Sequence, residues 1–142
     1  MIHPQNYKVV QVIEPKDCNG TDPTSNAIDT AGFDYAWFIL ATGTVASAFS
    51  AAPSLTECDT SGGTYTAITS SALATAPAAT DDNKNFAWYI DLRNRKRYLK
   101  ISVDVAASGA TNLCVLGILS RAEVTPTSAS ERGLSQQVIL PA

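Results

Sequence analysis

Two segments of alternating character constrain this chain more than anything else in it. In Phe86-Ala87-Trp88-Tyr89-Ile90-Asp91-Leu92 the large apolar residues Phe86, Trp88, Ile90 and Leu92 fall at every second position. The same holds for Leu99, Ile101, Val103 and Val105, with Tyr98, Lys100, Ser102 and Asp104 between them. Successive side chains of a strand point to opposite faces, so a period of two marks a half-buried β-strand. A slip of one residue would turn either apolar set into water, which fixes the register. The link, Arg93-Asn94-Arg95-Lys96-Arg97, is short and basic, and two strands so joined read as a β-hairpin of an antiparallel sheet.

Other segments follow the same logic. Residues 7–13 are rich in β-branched side chains and end at Glu14-Pro15, where the missing amide donor should stop the ladder or confine it to an edge. Residues 16–25 crowd Asp, Asn, Gly and Pro into a loop, and 27–30 read as a short extended piece before a turn at Gly32. Residues 33–41 form the strongest central strand, with Phe33, Tyr35, Trp37 and Ile39 on one face and Asp34, Ala36, Phe38 and Leu40 on the other. Its later part is apolar on both faces, which calls for cover from a second sheet and a partner subunit. Residues 45–52 suit a helical turn or a loop equally. Residues 55–58 and 65–68 flank Asp59-Thr60-Ser61-Gly62-Gly63, a hairpin connection in which glycine allows positive φ. Residues 70–84, dominated by Ala, Thr, Ser and Asp, form a long surface loop. After a turn at 106–111, a strand is expected over 113–119, a polar stretch with some helical character over 126–133, and a last short strand over 136–140.

About eight strands with long loops and little helix point to an all-β fold, an antiparallel β-sandwich of jelly-roll-like form. At 142 residues the chain is expected to be a single domain over 1–142, with 1–6 as a short N-terminal segment. An immunoglobulin-like sandwich is the nearest competitor, but the cysteine and tryptophan spacing does not suit it.

Composition excludes more than it assigns. A net charge of −3 argues against a general nucleic-acid binder, which needs many cations to displace counterions. The cluster Arg93, Arg95, Lys96, Arg97 is a local exception, read first as a solvated turn and second as a contact for an acidic protein partner. Cys18, Cys58 and Cys114 are odd in number and widely spaced, which fits neither a disulfide framework nor a zinc site. Cys114 reads as a buried small hydrophobe. No segment combines a basic stretch with a long apolar one, and no apolar run reaches about 18 residues, so neither a secretory signal nor a membrane span is expected. Asn19-Gly20-Thr21 therefore reads as a turn, in a protein made in a cytosol.

No catalytic motif survives inspection. The one histidine, His3, lies next to Pro4 near the start of the chain, so a Ser-His-acid arrangement would require that segment to be locked into a site. Asp81, Asn83 and Asn85 have the spacing that opens a calcium loop, but Phe86 stands where glycine is needed and Leu92 where glutamate is needed. Asp91 and Asp104 are candidates for a carboxylate pair across neighbouring strands, with solvated carboxylates as the default. Gly62-Gly63 lacks the lysine and helix of a phosphate loop. No cofactor, metal site or enzymatic activity is expected. Trp37 and Trp88, each on an apolar strand face, are expected to meet in the core. The alternative is a pair of exposed tryptophans lining a sugar groove, for which the sequence offers no visible set of polar partners.

Four stretches are familiar in combination: Gly32-Phe33-Asp34-Tyr35; Trp88-Tyr89-Ile90-Asp91-Leu92; Lys96-Arg97-Tyr98-Leu99-Lys100; and Leu119-Ser120-Arg121-Ala122-Glu123 followed by Pro126-Thr127. Together they resemble small tailed-bacteriophage proteins that include the capsid decoration, or cement, proteins. The resemblance implies a jelly-roll virion protein assembled in the host cytoplasm, bound to the capsid surface and stabilising capsomer junctions. Its implied partners are the major capsid protein and further copies of itself in a homotrimer, with no nucleic acid or membrane. On this view the basic turn Arg93, Arg95, Lys96, Arg97 or the 70–84 loop touches the capsid, and an apolar sheet face closes the trimer. The runner-up is a head-fibre base or a host-surface, carbohydrate-binding virion module. Only about six residues precede the first strand, so linkage through a long N-terminal arm is not expected.

Overall fold

The computed structural model describes residues 6–124 and 126–137. Eight strands appear in chain order: β1 (Tyr7–Asp17), β2 (Ile28–Asp29), β3 (Phe33–Val45), β4 (Ala51–Cys58), β5 (Thr66–Ala67), β6 (Asn85–Asp91), β7 (Tyr98–Asp104) and β8 (Thr111–Ala122). They form two four-stranded antiparallel sheets, ordered β1-β8-β3-β6 and β2-β7-β4-β5. The pairs β1·β8, β2·β7, β3·β6 and β4·β5 are those of one long hairpin rolled up on itself, the jelly-roll order.

This order overturns the expected hairpin between residues 86–92 and 98–105. β6 pairs with β3 through the register Tyr35↔Asp91 to Ala41↔Asn85, while β7 lies in the other sheet between β2 and β4. The basic link crosses from one sheet to the other. The alternation itself holds, because Trp88, Ile90 and Leu92 are buried, as are Leu99, Ile101, Val103 and Val105. The two apolar faces meet across the sandwich interior. Phe38, Leu40, Val12, Ile13, Val115 and Leu119 complete the core from the first sheet, and Ile28 and Leu55 from the second.

β1 runs past Pro15 to Asp17, further than the sequence suggested. Its register against β8 shifts between Gln11 and Ile13 and again between Ile13 and Lys16. The first shift leaves Val12 and Ile13 both buried. The second accommodates Pro15, which is tolerated because β1 is an edge strand and a bulge needs no amide there. Residues 46–50 form a loop, and 126–133 form turns in place of helix. The expected strand over 136–140 falls mostly outside the described residues, as does His3. In the β4–β5 connection Gly62 and Gly63 do not take positive φ. Gly63 instead permits close packing, since a Cβ there would stand 2.5 Å from both Cys58 Sγ and Thr60 Oγ1.

The long 68–84 segment laces the sheets together. On one side the Leu73 amide donates to Pro53 O (3.0 Å) and the Leu55 amide to Ser71 Oγ (2.9 Å). On the other, Trp88 Nε1 donates to Ser71 O (2.8 Å), Thr42 Oγ1 to Asp81 O (2.7 Å) and the Val45 amide to Asp82 Oδ1 (2.6 Å). Pro77 is fully buried within it. The β1–β2 loop does similar work on β7, where Ser25 Oγ and Asp22 Oδ1 accept from the Ile101 and Val105 amides.

Candidate binding surfaces

The basic turn sits at one end of the sandwich, and its cations are matched by acids. Arg93 is paired with Asp91. Arg97 forms a two-point pair with Asp29, Nε to Oδ1 at 2.9 Å and Nη2 to Oδ2 at 2.7 Å. Arg95 approaches Glu57 at 3.7 Å and Lys96 approaches Asp59 at 3.6 Å. The Arg93 guanidinium, donating to Asp91, holds that carboxyl down to about 2. Arg97 likewise lowers Asp29 by hydrogen bonding. The turn is therefore a mosaic of both signs.

Strand residues of all four stretches quoted for the phage resemblance lie at this end. Phe33 pairs with Ala122, Tyr35 with Asp91, and Tyr98 with Asp29. The opening of β3 thus lies beside the closing residues of β6 and β8, and the opening of β7 lies beside the end of β2 in the other sheet.

The outward face of the β1-β8-β3-β6 sheet is aromatic. Ala36, Phe38 and Leu40 of β3 point into the core, which leaves Tyr35, Trp37 and Ile39 outside. Trp37 is 37% exposed and Trp88 only 8%, so the two tryptophans do not meet. Trp37 stacks instead on Tyr89 of β6, which is 80% exposed, with ring centroids 5.4 Å apart and planes 17° from parallel. Cross-strand register builds two adjacent rows here. One runs Val9, Ile118, Trp37, Tyr89, and the next runs Tyr7, Ser120, Tyr35, Asp91. Between them lies a groove of about 420 Å³. At its polar end, the Arg93 and Arg121 guanidiniums lie over the Tyr35 ring at 5.8 and 5.7 Å, and Arg121 also pairs with Asp34 at 3.5 Å.

Sequence reasoning missed this groove because β3 is apolar on both faces, and alternation cannot say which face is inside. Its polar partners come from four strands and from residues that follow β6, a set assembled only by the sheet order. Cys114 also lies on this outer face, partly exposed, while Cys18 and Cys58 are buried, and all three are free. Asp91 and Asp104 sit in different sheets and form no pair. Among the described residues no three of His, Cys, Asp and Glu cluster as a metal site would require. No protein-family model matches the chain, and no curated protein matches it.

Proposed function

We propose that the chain is a structural virion protein that docks on the outside of a phage capsid and braces the junctions between capsomers. The observation that carries this reading is that strand residues of all four resemblance-bearing stretches lie at one end of the sandwich. That end presents Arg93, Arg95, Lys96 and Arg97 among Asp29, Glu57, Asp59 and Asp91. A surface of alternating sign suits a protein partner with a complementary pattern, the major capsid protein, better than a polyanion. The 68–84 segment, tied to both sheets, supports the same reading, since a surface ordered before binding loses little entropy on docking. A homotrimer would repeat the contact three times and turn modest contacts into firm attachment.

Cosedimentation with purified heads tests this. The triple variant R93E/R95E/R97E should lose head binding, and so should R93Q/R95Q/R97Q, which sets no glutamate against Asp91, Glu57 or Asp29 and serves as the control for folding. Unchanged occupancy on heads would remove the basic turn from the interface. The exposed Trp37–Tyr89 pair favours a second reading, a head-fibre base or host-surface module built on the same sandwich. Retention on host cells rather than on heads separates the two.

A further inference from the structure

We propose that the aromatic groove on the outer face of the β1-β8-β3-β6 sheet is a binding site for a neutral oligosaccharide. It rests on the groove alone and stands whether or not the chain docks on heads. A pyranose ring has an apolar C–H face and a rim of hydroxyls that both donate and accept. Its site therefore needs exposed aromatic surface with fixed donors and acceptors beside it. Trp37 and Tyr89 supply the first as near-parallel rings stacked on each other, Trp37 37% exposed and Tyr89 80% exposed. Tyr7, Tyr35, Ser120 and Asp91 supply the second, from the neighbouring row about 6.8 Å away, twice the rise of a strand. The volume of about 420 Å³ lies within the range of small-ligand sites, roughly 300–1,000 Å³.

Charge selects among the possible occupants. Both arginines at the polar end are already matched, Arg93 by Asp91 and Arg121 by Asp34, and both are also held over the Tyr35 ring. The rim therefore carries no net charge, which complements an uncharged ligand. A phosphate or sulfate would meet two carboxylates before finding a free cation. With its carboxyl held down to about 2, Asp91 remains an acceptor through neutral and mildly acidic pH. Planar carboxylate and guanidinium groups locked together present the paired acceptors and donors that adjacent hydroxyls can bridge.

Nuclear magnetic resonance of the full chain provides the test, with cellotetraose, maltotetraose and N-acetylchitotetraose as neutral probes and a heparin tetrasaccharide as the acidic comparator. The Trp37 indole N–H should shift saturably with at least one neutral probe, at a Kd on the order of 0.1–1 mM. The buried Trp88 indole should stay still. Trp37→Ala and Tyr89→Ala should each weaken binding about tenfold or more, with Tyr89→Ala melting near the parent. Tyr89→Ala secures the test, since that side chain is mostly in solvent and its loss leaves the core intact.

Absence of any Trp37 shift at about 10 mM of every neutral probe would overturn the proposal. So would equal affinity in both variants, or preference for the acidic probe. A scattering mass that is a multiple of 15.0 kDa and falls to one chain in Trp37→Ala would also overturn it, by placing a second copy on this face. Cosedimentation of the parent chain with heads, beside its own sugar titration, keeps the two readings apart. Retained head binding without sugar binding sinks the groove alone, and sugar binding without head binding sinks capsid docking alone.

Discussion

Gly117 offers the sharpest test of how tightly the two sheets are packed. It lies on the inner face of β8, opposite Phe38 of β3 and Val10 of β1. A Cβ added there would stand 2.7 Å from Val10 Cγ2, 3.1 Å from Phe38 Cε1 and 3.1 Å from Val12 Cγ2. Ordinary carbon contacts lie at about 3.5–4.0 Å, so the nearest is short by roughly 1 Å. None of the three neighbours gives easily. The valines are β-branched and stiff at χ1, and the Phe38 ring is fully buried. Overpacking of this kind costs about 1–3 kcal/mol, and rigid neighbours place Gly117→Ala in the upper part of that range. Lower entropy of the unfolded chain offsets about 0.4–1 kcal/mol. A net loss of roughly 1–2.5 kcal/mol remains. At about 2.1 cal/mol/K per residue, that lowers the melting temperature of a 142-residue chain by about 3–8 °C. Urea and thermal melts followed by tryptophan fluorescence read this directly. Gly62→Ala serves as the control, since nothing lies within 4 Å of its Cβ position. Adding Val10→Ala to Gly117→Ala should recover part of the loss. A Gly117→Ala protein that melts at or above the parent would refute the packing argument.

Two further perturbations probe the lacing loop and the surface carboxylates. Trp88→Phe removes the donor to Ser71 O and leaves that carbonyl short of a partner, at a cost of about 1–3 kcal/mol. Amide exchange over 69–74 should then rise well above that of the sheet strands, and unaltered protection there would show that the loop is held by other contacts. Asp91 and Glu131 both have carboxyls held at about 2, through hydrogen bonds from Arg93 and from the Thr127 and Ser128 amides respectively. Groups lowered by folding contribute stability above their unfolded values, and that contribution disappears as pH falls through the folded values. The melting temperature should therefore hold from pH 8 to about 5 and fall between about 4.5 and 2. Carboxyl titrations with midpoints near 3.8 for Asp91 and 4.5 for Glu131 would contradict this.

The alternation in 86–92 and 98–105 was legible because burial in a strand repeats every two residues, a property each segment carries alone. Pairing is another matter. The link from Leu92 to Arg97 is long enough for a tight return or for a crossing, and nothing local chooses between them. The choice depends on β3, which competes for the inner edge of β6 and offers an unbroken register from Tyr35 to Ala41. The candidate groove was hidden for a related reason. Trp37 and Phe38 are neighbours on a strand whose two faces look equally apolar, and the sequence names no inner side. The basic turn was visible as a cluster, but apart from Asp91, two positions from Arg93, its acids are distant in sequence, with Asp29 68 positions from Arg97.

What this sequence decides by itself is local: which segments are strands, which side chains of β6 and β7 are dry, and that the chain builds an all-β sandwich. The tertiary structure alone decides which strands are neighbours and which face of β3 turns to water. Both depend on long-range contacts, in which β8 must settle between β1 and β3 before Trp37 has an outside to face. Hydrogen bonds between strands are alike wherever they form. Only the meeting of two complementary apolar faces across the core selects one arrangement over the others.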